Sequence, residues 1–144
     1  MASPIDAQMI LCDAAVADPS GKVHMLGAGW SFTSSPTAAH AVAVLIKVPW
    51  DRTNQQILLT LSLLDSDGGQ VSLTPPTGDP QLIGASANIE VGRPAGVPAG
   101  TPINATFVLN VPSLPLAVGR YEWHLTISDD IFHSAFTVRN SPPP

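Results

Sequence analysis

The feature that most constrains this chain is an alternation of apolar and polar residues with a period of two. Successive side chains of a β-strand point to opposite faces, so such a run predicts a half-buried strand and identifies its core face. A helical period, by contrast, persists nowhere for three turns. The alternation is clearest in residues 120–127, whose apolar face carries Tyr121, Trp123, Leu125 and Ile127. It recurs in residues 42–48, 57–63 and 132–138.

Turn-forming residues separate these runs. Asp-Pro-Ser-Gly at residues 18–21 is typical of a type I turn and predicts a hairpin between strands at residues 9–16 and 22–32. Asp-Ser-Asp-Gly-Gly at residues 65–69 predicts a second hairpin, and residues 128–130 link the last two strands. Most prolines also fall between the runs, where a strand needs no backbone donor. The spacing predicts about nine strands, which favours a sandwich or a barrel.

The segment that leads into residues 120–127 favours the sandwich. Tyr121 is the only tyrosine and comes two residues after Gly119, as in the corner of many Greek-key sandwiches, where a tyrosine pins two sheets. Cys12 is the only cysteine, so no intramolecular disulfide can form. We therefore expect an all-β, immunoglobulin-like Greek-key β-sandwich without a disulfide, in which Tyr121 and Gly119 form a structural corner.

Length and composition bound the organisation. A chain of 144 residues and 15.0 kDa suffices for one domain with a single core. We assign residues 1–6 to an N-terminal extension, residues 7–139 to the sandwich domain and residues 140–144 to a Pro-rich tail. There is no internal repeat at a fixed period.

The charge pattern excludes several classes of partner. Charged residues make up 12% of the chain, and the net charge is −5. Its few lysines and arginines are scattered, whereas nucleic-acid binding needs clustered cations. Apolar runs are much shorter than the ~20 residues that span a bilayer, so we expect no membrane insertion. We see no signal-peptide pattern, and the lone cysteine gives no sign of an oxidising compartment, so we expect a cytoplasmic location.

No pattern of reactive residues points to an enzyme. No nucleophile-elbow sequence occurs, and Cys12 lies in an apolar strand where a thiol packs as a small hydrophobe. His124 and His133 flank the last hairpin, where they could be cross-strand neighbours and, with Glu122 or Asp129, hold zinc; exposed strand histidines are commoner. We therefore predict no catalytic residue, no metal and no cofactor.

Three residues are candidates for a binding surface. Trp50 and Arg52 follow a strand directly after Pro49, and both residue types are enriched at binding hot spots. The alternative is that Trp50 caps an open end of the sandwich while Arg52 satisfies local carbonyls. Arg93 lies in residues 92–102, a connection rich in Pro and Gly that is either functional or a crossover between sheets.

Several short motifs recur here in one order, and together they resemble a family of small bacterial single-domain proteins of unknown function. The resemblance covers about residues 7–138. It implies a single domain and brings no activity, substrate or ligand. The motifs are Leu-Gly-Ala-Gly-Trp at 26–30, Val-Pro-Trp-Asp at 48–51, Leu-Leu-Asp-Ser-Asp-Gly at 63–68, Gly-Arg-Pro at 92–94, Leu-Pro-Leu at 114–116 and Gly-Arg-Tyr at 119–121.

Two functions from different classes remain. The first is a non-catalytic module for protein–protein interaction or assembly, with a protein partner or with copies of itself as a homo-oligomer. It is favoured because no catalytic pattern is present, charges are sparse, and residues 9–16 are apolar on both faces. The alternative is a sandwich that binds a small ligand or glycan, in which Trp50, Arg52 and Arg93 form a site at one end.

The sparse charges also bear on the sheet edges. Edge strands normally carry lysine or other charges that prevent pairing with another sheet, and Lys22 and Lys47 are the only lysines. The low charge therefore predicts covered edges or faces, and an oligomer is the simplest cover.

Overall fold

The structure, a computed structural model, describes residues 3–76 and 78–140. Met1, Ala2 and residues 141–144 of the predicted Pro-rich tail lie outside the described residues. The described residues form twelve β-strands and one short 3₁₀-helix at Trp50–Arg52. The strands are β1 (Asp6–Cys12), β2 (Ala14–Ala17), β3 (Val23–Leu26), β4 (Phe32–Ser34), β5 (His40–Val48), β6 (Gln56–Asp65), β7 (Ser72–Leu73), β8 (Gln81–Leu82), β9 (Gly84–Glu90), β10 (Ile103–Val111), β11 (Gly119–Ile127) and β12 (Asp130–Arg139).

Two main sheets contain most of these strands. One is three-stranded and antiparallel, with the order β1-β5-β10. The other is five-stranded, with the order β4-β12-β11-β6-β9, and β4 runs parallel to β12. The pairs β2–β3 and β7–β8 form separate small hairpins. The predicted all-β class is confirmed.

One buried cluster joins the two main sheets. It contains the alternating residues of β5 and β6 together with Trp123, Leu125 and Ile127 of β11, all fully buried. The predicted core face of residues 120–127 is therefore confirmed, with Tyr121 half-buried at its start. Ile5 also belongs to this cluster, and β1 begins at Asp6, so ordered packing extends into the segment assigned to an N-terminal extension.

The strand count exceeds the expected nine because three predicted strands are interrupted, one of them, at residues 82–91, by Ile83 between β8 and β9. Residues 9–16 divide at Asp13, whose backbone N–H donates to the Leu26 carbonyl oxygen at 2.8 Å. Residues 22–32 divide at the glycines after β3; Gly27 has a φ of +63°, and a Cβ there would overlap the Asp13 carboxylate. A side chain at position 27 would have to displace the Asp13 carboxylate, so glycine suits the close approach of these two residues where β2 and β3 leave the sheet of β1.

The hairpin of β2 and β3, called here the covering hairpin, packs on the outer face of the three-stranded sheet. Ala15 and Met25 of the hairpin contact a small cluster that contains Ala41 and Ala43 of β5. The small alanine side chains let the hairpin lie close to the sheet. The chain itself thus covers part of the apolar surface for which the sparse charges had predicted a partner.

The predicted turn at the tip of the covering hairpin is confirmed. The Gly21 N–H donates to the Asp18 carbonyl oxygen at 2.9 Å, and the Asp18 carboxylate accepts from Ser20 and Lys22. Its other oxygen lies 2.9 Å from Nε2 of His24. Hydrogen bonds from Ser20, His24 and Lys22 hold the pKa of Asp18 well below its ordinary value.

The two sides of the sandwich differ. On the closed side, formed by β1, β4, β12 and residues 27–31, the Gly29 N–H donates to Leu11 of one sheet, and Ser31 accepts from Thr137 of the other. The Ile5 N–H also donates to the Asp130 carboxylate at 3.0 Å. On the open side, β9 and β10 end their sheets, and residues 92–102 cross between them without forming a strand.

Tyr121 and Gly119, the predicted structural corner, lie at the start of β11. The Tyr121 hydroxyl donates to the Ala117 carbonyl oxygen at 2.8 Å, and the Tyr121 ring stacks on Phe136. That hydrogen bond runs a few residues upstream, as in a tyrosine corner, and Gly119 begins the strand.

Within the part of the chain that the structure describes, no helix is long and apolar enough to cross a membrane.

Candidate functional site

Two of the three predicted binding residues meet at one end of the sandwich. Trp50 lies in the connection from β5 to β6, and Arg93 lies in the connection from β9 to β10. The Arg93 guanidinium carbon is 4.2 Å from the centroid of the Trp50 ring. This is the geometry of a cation–π contact, in which the ring face attracts the positive charge.

Hydrogen bonds fix Arg93 in that position. Its Nε donates to Oγ1 of Thr53 at 2.6 Å, and its Nη2 donates to the Trp50 carbonyl oxygen at 2.9 Å. Thr53 is buried, and its hydroxyl donates to the same Trp50 carbonyl at 2.6 Å. The Arg93 side chain thus joins two connections and covers one face of the half-buried Trp50.

Arg52 does not join this pair. Its Nη1 donates to the Ser3 carbonyl oxygen at 3.2 Å, and the adjacent Asp51 carboxylate accepts from the backbone and the hydroxyl of Ser3. The hydrogen bond from the Ser3 backbone is the largest cause that lowers the pKa of Asp51. Arg52 and Asp51 therefore anchor the N-terminal segment, which agrees with the structural alternative that Arg52 satisfies a carbonyl.

An open groove lies beside Arg93. Residues 90–94 line one wall, and residues 103–105 at the start of β10 line the other. Trp50 does not line this groove, because its ring lies under the Arg93 guanidinium. The groove offers a ligand the exposed Arg93 cation but no aromatic surface.

The open edge of β10 borders the same groove and was not singled out in the sequence. Its nine residues pair with β5 in continuous register from Ile103 opposite Val48 to Val111 opposite His40. Within residues 3–76 and 78–140, the backbone of β10 pairs with no other strand. Every second residue of an edge strand directs its N–H and C=O away from the sheet, so β10 presents a row of unused main-chain groups.

The histidines predicted as possible cross-strand neighbours are neighbours. His124 of β11 lies opposite His133 of β12, and Nδ1 of His133 is 3.4 Å from Oε1 of Glu122. Asp129 does not extend this group, and the described ranges contain no set of three His, Cys, Asp or Glu side chains that could hold a metal ion. The pair lies on the outer, polar face of the five-stranded sheet.

Among the residues that the structure describes, Cys12 and His40 are buried groups whose side chains could react, and both are enclosed in the protein. Cys12 is fully buried beneath the covering hairpin, and desolvation raises the pKa of its thiol. His40 lies among the rings of Trp30, Trp123 and Phe136, and burial lowers its pKa. A protonated thiol and a neutral imidazole, both shielded from solvent, are poorly suited to attack a substrate.

Comparison with known proteins identifies a family for this chain but assigns it no activity. Residues 7–138 match a family of unknown function, DUF6941. The match covers the same residues as the resemblance in the short motifs. Neither the match nor the resemblance assigns a function. No curated protein matches the chain.

Proposed function

We propose that this chain, which belongs to the DUF6941 family of unknown function, is a non-catalytic module for protein–protein interaction or assembly that associates with copies of itself. The observation that carries this proposal is the open side of the sandwich, where β10 ends its sheet with unused main-chain groups. Such an edge binds another β-strand through backbone hydrogen bonds, a recurring mode of protein recognition.

The chemistry of the described residues supports a binding role over a catalytic one. The Cys12 thiol and the His40 imidazole are buried, and the exposed His133 approaches only Glu122 among carboxylates. Large apolar side chains, by contrast, are exposed at several places, of which Leu26 at 72% and Val16 at 59% are neighbours on the covering hairpin. Exposed apolar side chains that cluster are typical of contact surfaces.

An immunoglobulin-like Greek key is the finer fold assignment that we propose. The orders β1-β5-β10 and β12-β11-β6-β9 support it, since the chain crosses between the sheets after β5, β9 and β10. The hydrogen bond from Tyr121 to Ala117 also supports it, because such sandwiches carry this corner where the last pair of strands begins.

Binding of a small ligand or glycan is the second candidate. The groove beside the exposed Arg93 guanidinium favours it, because a planar cation can orient a carboxylate or a sugar hydroxyl. It receives less support than self-association because Arg93 covers the Trp50 ring and Arg52 is engaged by Ser3. A panel of sugars and carboxylates that shifts neither the tryptophan fluorescence nor the melting temperature would eliminate this candidate.

A cytoplasmic location in a bacterial cell completes the proposal. The free thiol of Cys12 suits a reducing compartment.

Photo-crosslinking in the native host tests the proposed function. A photoreactive residue at Asn104 or Asn110 on β10 should give crosslinked products, mainly of twice the 15.0 kDa chain mass. The same residue at His133, exposed on the outer face of the five-stranded sheet, is the matched control. Absence of products from β10, together with a monomer mass by light scattering at all concentrations, would refute an interaction role through this side.

A further inference from the structure

The β10 edge lacks the features that normally protect an edge strand. Lysine, proline, glycine and bulges prevent unwanted pairing in natural sheets. The nine residues Ile-Asn-Ala-Thr-Phe-Val-Leu-Asn-Val contain no charge, no proline and no glycine, and their register with β5 shows no bulge. An edge of this length, about 30 Å at the usual rise of a strand, is long enough for a full set of backbone hydrogen bonds.

The other edge strands of the main sheets are shorter than β10, and two of them carry a charged residue at one end. β9 has an interior of small residues, begins with Gly84 and ends with Glu90. β1 carries Asp6 and lies on the closed side, and β4 has only three residues. The lysines protect no edge of the main sheets, since Lys47 lies on the central strand β5 and Lys22 in the turn before β3. β10 is thus the longest edge strand of the main sheets, and it combines that length with the absence of charge and glycine.

The strand is held in place before any partner arrives. The Thr106 hydroxyl donates to the Gly21 carbonyl oxygen at 2.9 Å, and Val108 packs against the cluster beneath the covering hairpin. Phe107 and Leu109 pack on the opposite side against the main core. A strand that is already ordered loses little conformational entropy when a second strand pairs with it.

We infer that the partner of β10 is a second copy of the chain, paired antiparallel through β10 so that Phe107 lies opposite Phe107 of the partner subunit. This inference rests on the proposed function. Pairing about the midpoint of the nine residues joins two three-stranded sheets into one six-stranded sheet, and it uses all of β10 in both copies. A two-fold axis relates the copies, as in most soluble homodimers.

The absence of charge is what favours a second copy over a strand from another protein. Residues 94–119 contain no charged side chain, so β10 and its flanks offer no opposite charge with which to select a foreign strand. In the self-pair, the outer face places Asn104 opposite the partner's Asn110 and Thr106 opposite the partner's Val108. The inner face places Ala105 opposite the partner's Leu109. No like charges meet, so the edge is complementary to itself.

The net charge of −5 gives this association a distinct salt dependence. Two such copies repel at long range, and salt screens that repulsion. Because no ion pair contributes to the β10 contact, raising the salt concentration should strengthen the dimer, whereas an interface built on ion pairs would weaken.

Charge substitutions at Asn104 and Asn110 test both the strand and the register. Both residues are exposed on the outer face, so substitution leaves the core intact. In the double variant Asn104→Lys/Asn110→Lys, each lysine faces a lysine of the partner, and the dimer dissociation constant should rise about 30-fold. In Asn104→Lys/Asn110→Asp, lysine faces aspartate, and the dimer should recover.

The matched control is Ser86→Lys/Asn88→Lys on the outer face of β9. It changes the net charge by the same two units as the double-lysine variant of β10, so a difference between them reports position rather than net charge. Sedimentation velocity across a concentration series gives the dissociation constants, and circular dichroism verifies that each variant is folded.

Three results would overturn the inference. A wild-type chain that stays at 15.0 kDa at every concentration excludes the dimer. A dimer that survives the double-lysine variant of β10 but is lost in the β9 control assigns the contact to the other edge. Failure of the Lys/Asp variant to recover excludes the register. In the second and third cases the proposed self-association stands while the β10–β10 pair is wrong. When a monomeric chain crosslinks another protein through β10, the self-association and the β10–β10 pair are both wrong, and only the interaction role stands.

Discussion

The two sides of the sandwich differ in whether the chain itself covers the edges of the two sheets. On the closed side, residues 27–31 bridge the sheets, and the chain start is tied to Asp130 at the beginning of β12. On the open side, the connection of residues 92–102 has a proline at 94, 98 and 102, and proline lacks the N–H that a strand must donate. The connection does not supply a strand to cover β10, so within the described residues that edge of the sheet is unpaired.

The comparison predicts that stability is concentrated on the closed side. Phe136 of β12 is buried and packs on Trp30, His40 and Tyr121, so Phe136→Ala should cost about 3–5 kcal/mol of unfolding free energy in urea titrations. The matched change on the open side is Ile89→Ala of half-buried Ile89 in β9, which should cost less than about 2 kcal/mol. Equal losses of unfolding free energy in the two variants would show that stability is not concentrated on the closed side.

Loss of the hydrogen bond between Ile5 and Asp130 should lower the unfolding free energy by less than Phe136→Ala does. Asp130→Ala removes the acceptor of the Ile5 N–H and should cost about 1.5 kcal/mol, as expected for a hydrogen bond to a charged group. Asp129→Ala, one residue away and exposed, is the control and should change stability by less than about 0.5 kcal/mol. Thermal or chemical denaturation measures both, and a cost for the control as large as that for Asp130→Ala would exclude the tie.

Within the described part of the chain, each side also carries one cation–π contact, and these permit a finer test. Arg93→Ala should cost about 1 kcal/mol because it removes the contact with Trp50 and two hydrogen bonds. Arg139→Ala removes the contact with Phe32, also 4.2 Å from guanidinium carbon to ring centroid, and should cost about half as much. Only the Arg93 change should shift the tryptophan emission. An unchanged emission spectrum would show that Arg93 does not cover the Trp50 ring in solution.

His40, which lies with Trp30 and Phe136 near the closed side, should have the smallest effect on stability at neutral pH. Burial lowers its pKa below the ordinary 6.5, so below that pH the unfolded chain binds a proton that the folded chain excludes. Stability should therefore be full above about pH 6.5 and fall as the pH drops below it. Asp18 adds a separate loss only below its ordinary 3.8, since its lowered pKa favours the folded state above that pH.

The pH dependence of unfolding in urea separates these contributions. In His40→Gln the slope between pH 6.5 and 4.5 should flatten, whatever the absolute stability of the variant. Asn88→Gln changes an exposed residue that does not titrate and should leave that slope in place. A slope that is the same in wild type and His40→Gln would show that another group is responsible.

Much of the fold followed from local pattern, and much of the site did not. The alternation in residues 120–127 identified Trp123, Leu125 and Ile127 as core, and the Asp-Pro-Ser-Gly turn located the covering hairpin. The interruption at Asp13 was not predicted, because it depends on the approach of Gly27 from another part of the chain. The open edge of β10 was missed too, although its signal, a long uncharged segment after Arg93, is visible in the sequence.

The predicted binding residues illustrate the same limit. Trp50 and Arg52 are two residues apart in the sequence, whereas Arg93 is far from both. The structure pairs Trp50 with the distant Arg93 and directs Arg52 to Ser3. Nothing local to residues 50–52 distinguishes these outcomes, since the short 3₁₀-helix and the returning connection decide which side chains meet.

The sequence by itself determined the all-β class, the core face of the main strands and the crossover that cannot form a strand. These depend on side-chain alternation and on the missing N–H of proline, which are local properties. The tertiary structure alone decided that β10 ends its sheet, that the covering hairpin protects Ala41 and Ala43, and that one side of the sandwich is closed. Strand order depends on contacts between residues far apart in the chain, and such contacts leave little trace in any single segment.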